Sequence, residues 1–124
     1  ERARNWRRRE AEQLLACSLR EGDERPQVGA ILLAHHLDDQ VETQVFKLLR
    51  GAHLARLGGM RSREGPYARP LLRIEKSTLV AFLEAEGQHW MEDSTNAKPI
   101  YLRNKIRLEV LPLLAELCGG SRAL

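Results

Sequence analysis

The chain contains 124 residues, of which 43% are hydrophobic and 30% charged, and its formal net charge is +3. This length predicts a chain of single-domain size with a modest core, and the composition excludes an intrinsically disordered protein. The small basic excess is compatible with a nucleic-acid partner but does not require one. No apolar run approaches the length of a membrane span, so we expect no membrane partner.

The N-terminal half of the chain predicts a helix, a buried strand and a second helix. Residues 4–19 are good helix formers without glycine or proline. The nearly continuous apolar run 28–34 predicts a strand buried on both faces of a parallel sheet. Residues 37–49 predict a helix soon after that strand, so the two form half of a βαβ unit. The apolar stripe expected on the first helix comprises Trp6, Ala11, Leu14, Leu15 and Leu19.

The C-terminal half of the chain predicts two further helices. A helix over residues 75–86 is expected to end at Gly87, and a last helix over 101–117 is expected to bend or restart at Pro112. Three polar or glycine-containing stretches are expected to be loops, turns or caps: 21–26, 51–65 and 93–96. The apolar face expected on the helix over 75–86 comprises Leu79, Phe82 and Leu83.

The two cysteines of the chain, Cys17 and Cys118, are far apart in sequence and lack the spacing of metal ligands. This spacing argues against a structural zinc site or an iron–sulfur cluster. Two buried thiols in a reducing compartment are the expected arrangement.

An acidic cluster follows the predicted strand, where ligands bind in open α/β sheets. At 100° per residue, Asp38, Asp39 and Glu42 span one arc of the predicted helix. That arc continues the apolar face of Val45, Phe46 and Leu49, whereas Gln40, Gln44 and Lys47 are expected to face solvent. Carboxylates that point into a crevice can hold an ammonium group, a metal ion or a proton in transit.

Two other interpretations of this cluster stay open from the residues alone. Asp39 and Glu42 have the spacing of a capping box, which would give them a purely structural role at the helix start. His35 and His36 could ligate a metal together with an aspartate. Adjacent side chains at a strand end point in opposite directions, however, which disfavours one ion between both histidines.

An arginine pair lies on the last predicted helix. Arg103 and Arg107 are one turn apart and share an arc with Ile106, Val110 and Leu114. Two guanidinium groups on one side of a helix can clamp a phosphate or a carboxylate. In the alternative interpretation the arginines extend to solvent, and Glu109 or Glu116 neutralises their charge.

Several motifs occur together in one order along nearly the whole chain. They begin with a basic motif at 3–7 and end with the leucines that flank Pro112. In chain order they are Ala3-Arg4-x-x-Arg7, His35-His36-x-Asp38-Asp39-Gln40-x-Glu42-Thr43, Leu49-Arg50-Gly51, Gly59-Met60, Arg69-Pro70-Leu71-Leu72, Glu92-Asp93-Ser94-Thr95-Asn96, Arg103-Asn104-x-x-Arg107 and Leu111-Pro112-Leu113-Leu114. This series resembles the tRNA(Ile)-lysidine synthase family of the PP-loop, or N-type ATP pyrophosphatase, superfamily.

The resemblance implies an α/β fold of the Rossmann-like, adenine nucleotide alpha hydrolase type with a parallel sheet. Residues 1–72 would be the C-terminal part of the nucleotide-binding domain, and 73–124 a helical segment that completes the catalytic domain. The implied reaction joins lysine to the wobble cytidine of a tRNA(Ile) with a CAU anticodon. ATP first adenylates the C2 oxygen of the base, the lysine ε-amine then attacks C2, and AMP leaves.

The resemblance also implies roles for individual residues. Asp39 and Glu42 match the catalytic acids expected to hold lysine, through its α-ammonium group. Arg107, with Arg103, matches positions near a substrate carboxylate or phosphate of lysine or tRNA. Arg4 and His36 match positions beside the nucleotide, and the chain itself is expected to supply no metal ligand.

The Ser-Gly-Gly-x-Asp-Ser phosphate loop of the family is absent from these residues. ATP and Mg²⁺ are expected to be bound mainly by that loop, since its backbone amides cradle the pyrophosphate. The chain has no initiator methionine, so we expect it to begin partway through a longer protein. This segment alone is expected to bind ATP poorly and to be inactive. The expected location is the cytoplasm, or an organellar stroma or matrix, and the sequence does not indicate an oligomeric state.

Two alternative functions remain on the sequence alone. The tRNA cytidine thiolation enzymes share the histidine–aspartate segment but carry paired cysteines, which this chain lacks. A non-catalytic, basic RNA-binding module is the second alternative. The chain has only two Trp, two Tyr and two Phe, which is few for a surface that stacks bases.

Overall fold

The structure is a computed structural model that describes residues 2–18, 29–91, 93, 99 and 101–119. The predicted loop at 21–26, the start of the predicted strand at Val28 and most of the turn at 93–96 lie outside the described residues. Contacts divide the chain into two compact units. One consists of Glu1–His35 and Arg61–Pro70, and the other of His36–Met60 and Leu71–Leu124.

The first unit contains helix α1 (Arg2–Ser18) and a small sheet of β1 (Ile31–Leu32), β2 (Arg63–Glu64) and β3 (Tyr67–Ala68). The strand order is β1-β3-β2, with β1 parallel and β2 antiparallel to β3. The sheet is therefore mixed, and the predicted parallel pairing holds for β1 and β3. The β2–β3 hairpin was not predicted, and its first strand lies inside the expected loop over 51–65.

The predicted burial of β1 on both faces is wrong. Its ladder with β3 covers only two residues, and Leu32 is 70% exposed. The apolar run therefore indicated the position of the strand correctly but overestimated its length and the degree to which it is buried. An apolar run shows which side chains of a strand could be buried. The elements that pack against the strand determine which of them are buried.

The face that α1 packs inward differs from the predicted stripe. Trp6 and Leu14 are exposed, while Ala11 and Leu15 are partly buried, and Leu19 lies outside the described residues. The inward arc also carries polar groups, since the buried Tyr67 donates a hydrogen bond from its hydroxyl to Glu12, and the Arg8 guanidinium lies 5.3 Å from the tyrosine ring centroid. The hydrogen bond to Glu12 raises the pKa of Tyr67. A buried tyrosine hydroxyl requires a partner, which explains why this face of the helix is partly polar.

The second unit is helical. Helix α2 (Leu37–Leu49) has the predicted bounds, and α3 (Lys76–Ala85) lies within the predicted 75–86. Gly87 adopts a positive φ of 66° immediately after α3, as expected for a glycine that ends a helix. The buried side chains of this unit are Glu42, Val45, Leu72 and Ile106.

Other predicted burials in the chain are wrong. Leu49 of α2 and Phe82 of α3 are exposed, and so are both cysteines, Cys17 and Cys118. The apolar arcs of α2 and α3 are thus covered only in part among the described residues.

The last helix changes its winding before the proline. It consists of α4 (Leu102–Lys105), a π-helical segment (Ile106–Val110) and α5 (Leu111–Leu117). Leu111 N–H donates to the Ile106 carbonyl, five residues back. Pro112 has no N–H for the carbonyl four residues earlier and its ring crowds that carbonyl, so a wider turn at this point accommodates it. The prediction of a bend or restart at Pro112 is thereby confirmed.

Two side chains of α2 that were expected to face solvent instead bind the segment 58–60. Gln40 donates from Nε2 to the Met60 carbonyl at 3.1 Å and accepts from Met60 N–H at 2.6 Å. Lys47 donates to the Gly58 carbonyl at 2.5 Å. The solvent-facing prediction is thus wrong for Gln40 and Lys47 and correct for Gln44. Backbone groups without a secondary-structure partner need such side-chain partners.

Gly59 makes this clamp possible. A Cβ at Gly59 would lie 2.2–2.6 Å from the Gln40 side-chain amide, whereas a Cβ at Gly58 meets nothing within 4 Å. We expect Gly59→Ala to displace Gln40 and to lower the free energy of unfolding by about 1–3 kcal/mol, the cost of two hydrogen bonds. Denaturant unfolding measures the effect, with Gly58→Ala as the matched control. In a Gln40→Ala background the two alanine substitutions should cost the same, and a persisting difference would contradict the clamp.

None of the described helices combines the length and the apolar character needed to cross a membrane.

Candidate functional site

The N-terminus of α2 is capped by its own third residue. His36 is the N-cap in an extended conformation, and its backbone N–H donates to Asp39 Oδ2 at 3.1 Å. The capping interaction therefore joins His36 and Asp39, and the proposed box with Asp39 as its first member and Glu42 as its last is wrong. Asp39 does have a capping role, whereas Glu42 lies one turn further along the helix.

His36 and Asp38 extend this cluster. The His36 ring nitrogens lie 3.4 Å from Asp38 Oδ2 (Nδ1) and 3.4 Å from Asp39 Oδ2 (Nε2). Nδ1 is buried and makes no hydrogen bond to any residue that the structure describes. Asp38 Oδ2 also accepts a hydrogen bond from the Lys76 backbone N–H at 2.8 Å, which joins the first turns of α2 and α3. Asp38 thus satisfies a backbone donor of a helix start.

Glu42 lies at the centre of the charged cluster. Its side chain is 0% exposed, and each carboxylate oxygen accepts a hydrogen bond from a different arginine. Arg103 Nε donates to Oε2 at 3.1 Å, and Arg107 Nε donates to Oε1 at 2.5 Å. A buried carboxylate requires such compensation, since an uncompensated charge in the interior is strongly destabilising.

Asp39 and Thr43 complete the surroundings of the two arginines. Arg107 Nη2 lies 3.9 Å from Asp39 Oδ1, and Arg103 Nη2 donates to Thr43 Oγ1 at 3.2 Å. The Thr43 hydroxyl in turn donates to the Asp39 carbonyl at 2.7 Å. The hydrogen bond to Glu42 raises the pKa of Arg107, while its partial burial acts in the opposite direction. Arg107 is therefore a cation, as arginine is throughout proteins.

The arrangement tests the two interpretations of the arginine pair. Ile106 is fully buried on the same face, as predicted. The countercharge of both arginines is Glu42, which lies 61 and 65 residues earlier. The suggested neutralisation by Glu109 or Glu116 does not occur among the described residues. These arginines are therefore bound to α2 by hydrogen bonds and ion pairs and do not extend freely into solvent.

The structure links five of the predicted site residues within the second unit. His36, Asp39, Glu42, Arg103 and Arg107 belong to the second unit, and they are linked as described above. Arg4 is an exposed residue of α1 in the first unit, and no described hydrogen bond or ion pair involves it. Its role beside a nucleotide stays a prediction.

Thr43 was not singled out from the sequence as a functional residue. Its position four residues after Asp39 places it on the same side of the helix, which is the signal that could have identified it. The capping of α3 by Asp38 had no local signal, because its partner Lys76 is 38 residues away.

The cluster presents both charge signs on a partly exposed surface. Asp39 is 18% exposed, Arg107 34% and Arg103 46%. A carboxylate beside guanidinium groups matches a zwitterionic ligand, whose ammonium and carboxylate require opposite partners. Among the described residues, no group of three or more His, Cys, Asp or Glu side chains is arranged to hold a metal ion.

The chain is similar to a known protein family and to several of its named members. The family model for the PP-loop domain matches residues 3–114. A tRNA(Ile)-lysidine synthase of Bacteroides thetaiotaomicron is 47% identical over 87 residues, which are 70% of this chain and 20% of that protein. The enzyme of the same name from Thermus thermophilus is 52% identical over 87 residues, 70% of this chain and 17% of the relative. That of Chlamydia felis is 42% identical over 102 residues, 79% of this chain and 32% of the relative.

These similarities confirm the resemblance drawn from the motif series. The chain spans about a fifth of the length of the first two relatives and about a third of the third.

Proposed function

The chain belongs to the PP-loop domain family, and from that premise we propose that it is part of an ATP-dependent ligase that forms lysidine in tRNA. The substrates are L-lysine, ATP and a tRNA(Ile) with a CAU anticodon. The observation that carries the proposal is the linked cluster of Asp39, Arg103 and Arg107, whose charges match a free amino acid. The similarity to tRNA(Ile)-lysidine synthases supports the choice of lysine.

The reaction takes place in two steps. In the first, the C2 oxygen of the wobble cytidine attacks the α-phosphorus of ATP, and diphosphate leaves. In the second, the lysine ε-amine attacks C2, the C2–N bond forms, the C2–O bond breaks, and AMP and a proton leave. Positioning of the amine against the activated carbon supplies much of the rate, because it converts an encounter in solution into a reaction within one complex.

The residues of this chain bind and orient the amino acid in that scheme. Asp39, whose Oδ1 faces Arg107 across 3.9 Å, binds the α-ammonium group of lysine. Arg107 binds the lysine carboxylate or the reacting nucleotide, and Arg103, the more exposed of the pair, contacts an RNA phosphate. His36 lies at the N-terminus of α2 beside both aspartates, and its proposed neighbour is the nucleotide.

We propose that the family's phosphate loop binds ATP and Mg²⁺. The Ser-Gly-Gly-x-Asp-Ser motif of that loop does not occur within these 124 residues. We assign the ion to that loop, as the resemblance to the family implies. A Rossmann-like parallel sheet is the proposed fold of the whole nucleotide-binding domain, of which β1 and β3 show one parallel pair. The proposed location is the cytoplasm, or an organellar stroma or matrix.

Product analysis tests the proposed function. The protein that contains this chain is incubated with isotopically labelled lysine, ATP and tRNA(Ile) with a CAU anticodon, and the digested nucleosides are analysed by mass spectrometry. We expect one labelled lysine on the wobble cytidine, dependent on ATP and absent from a tRNA with another anticodon. Sulfur at the cytidine without lysine would instead favour a thiolation enzyme. Tight tRNA binding without any modified nucleoside would favour a non-catalytic RNA-binding module.

A further inference from the structure

Glu42 combines complete burial with two engaged oxygens, a combination that no other described carboxylate shares. We propose that Glu42 is a positioning residue, which orients Arg103 and Arg107 toward the substrate and does not itself bind lysine. The identity of the ligand rests on the proposed function, whereas the orientation of the arginines does not. This assignment replaces the role of direct lysine ligand that the motif resemblance implies for Glu42.

The first step is the accessibility of the two acids. An ammonium group could reach Glu42 only by displacing one of two arginine hydrogen bonds inside a side chain that is 0% exposed. That displacement would remove a charge-assisted hydrogen bond from a fully buried carboxylate, which is costly. Asp39 is 18% exposed, and its Oδ1 has the 3.9 Å contact with Arg107. Asp39 is therefore the carboxylate that an ammonium group can reach.

The second step concerns which nitrogens of each guanidinium bind residues of α2. Arg103 uses Nε for Glu42 and Nη2 for Thr43, and Arg107 uses Nε for Glu42 while its Nη2 lies near Asp39. Both arginines thus turn their Nε side toward α2. Within the described ranges, no hydrogen bond involves Nη1 of either arginine. We therefore assign the contact with an anionic ligand to Nη1 of each guanidinium, whose N–H groups are donors.

The third step is the chemical consequence for the ligand. If Glu42 acts through Arg107, its loss weakens the contact to the lysine carboxylate and leaves the contact to the α-ammonium group intact. If Glu42 bound the ammonium group directly, the reverse would hold. Two analogues separate these cases. 6-Aminohexanoate keeps the carboxylate and lacks the α-ammonium group, and 1,5-diaminopentane keeps both amines and lacks the carboxylate.

The experiment measures binding of lysine and both analogues, by competition with labelled lysine, to the intact protein and to Glu42→Gln. We expect Glu42→Gln to weaken lysine and 6-aminohexanoate by a similar factor, roughly tenfold to a hundredfold, and to leave 1,5-diaminopentane unchanged. Weaker binding of lysine and 1,5-diaminopentane with unchanged 6-aminohexanoate overturns the proposal, as does unchanged binding of all three. Glu84→Gln, the same substitution on the exposed side of α3, is the matched control.

A second measurement reports on the arginines themselves. In the wild-type protein, two arginine Nε–H signals in ¹⁵N-resolved NMR spectra should be protected from exchange with solvent. Glu42→Gln replaces one of the two acceptor oxygens with an NH2 donor, so it should abolish the protection of at least one of these signals. Glu42→Asp keeps the charge but is shorter by one methylene, so it should retain protection at one arginine and lose part of the affinity. If Glu42→Gln does not fold, the Glu42→Asp variant tests the positioning role in its place. Protection of both arginine signals that persists in both variants overturns the proposal.

The two proposals fail in different ways. A wild-type protein that neither binds lysine nor forms lysidine contradicts the proposed function, and the Nε–H signals still test the role of Glu42. A protein that forms lysidine while Glu42→Gln selectively loses affinity for 1,5-diaminopentane contradicts only the positioning role.

Discussion

Arg107→Lys is expected to reduce kcat/KM of lysidine formation for lysine by roughly tenfold to a hundredfold, in a protein that remains folded. Lysine keeps the positive charge, so Glu42 would still have a counterion. A single ammonium group, however, cannot bind Glu42 and also present a planar pair of donors to a ligand. In the structure Arg107 does the first through Nε at 2.5 Å, and we assign the second to its Nη1.

Steady-state kinetics with saturating ATP and tRNA provide the measurement, and the melting temperature verifies the fold. Arg73→Lys, an exposed arginine of the same unit, is the matched control and should behave as wild type. A rise of the lysine KM with unchanged salt dependence of tRNA affinity assigns Arg107 to lysine. For Arg103→Ala, the assignment to an RNA phosphate predicts a smaller salt slope, because fewer counterions are released on binding. Near-wild-type kinetics of Arg107→Lys would contradict a clamping role.

Asp39→Asn is expected to raise the lysine KM by roughly tenfold or more and to leave the stability almost unchanged. The Asn side-chain oxygen can still accept the His36 N–H that Asp39 accepts at 3.1 Å, so the cap of α2 is kept. The negative charge that would pair with the α-ammonium group is lost. The substitution therefore separates the two roles of one side chain.

Asp39→Ala provides the comparison, because it removes both the charge and the cap. It should match Asp39→Asn in the lysine KM and lower the free energy of unfolding by about 1 kcal/mol in addition. Kinetic assays and denaturant unfolding of both variants test this pattern. If Asp39 were only a cap, Asp39→Asn would have the wild-type KM and only Asp39→Ala would be impaired, through its stability.

The local signals in the sequence were sufficient for the helices of the second unit. The bounds of α2 and the glycine stop of α3 were predicted because periodicity, helix propensity and a positive-φ residue depend on neighbours within a few positions. The effect of Pro112 was predicted for the same reason, since a missing N–H acts within one turn. The ordered motif series was sufficient for the family, because it depends on residue identity and not on contacts.

Periodicity also predicted which charges share a face but not what covers them. Asp39 and Glu42 lie one turn apart on one side of α2, yet one is partly exposed and the other is sealed by two arginines. The same limit explains the errors at Gln40, which binds Met60, and on α1, where the exposed Glu12 accepts a hydrogen bond from the buried Tyr67.

The sequence by itself determined the family of this protein, its helices and the set of charged residues from which a site could be built. Only the tertiary structure decided which of these charges are buried and which are paired, with Glu42 bound to Arg103 and Arg107 from 61 and 65 residues away. The physical reason is that the state of a carboxylate depends on desolvation and on the donors that reach it. Both are properties of the packed chain, which brings together groups whose separation in sequence carries no signal of their contact.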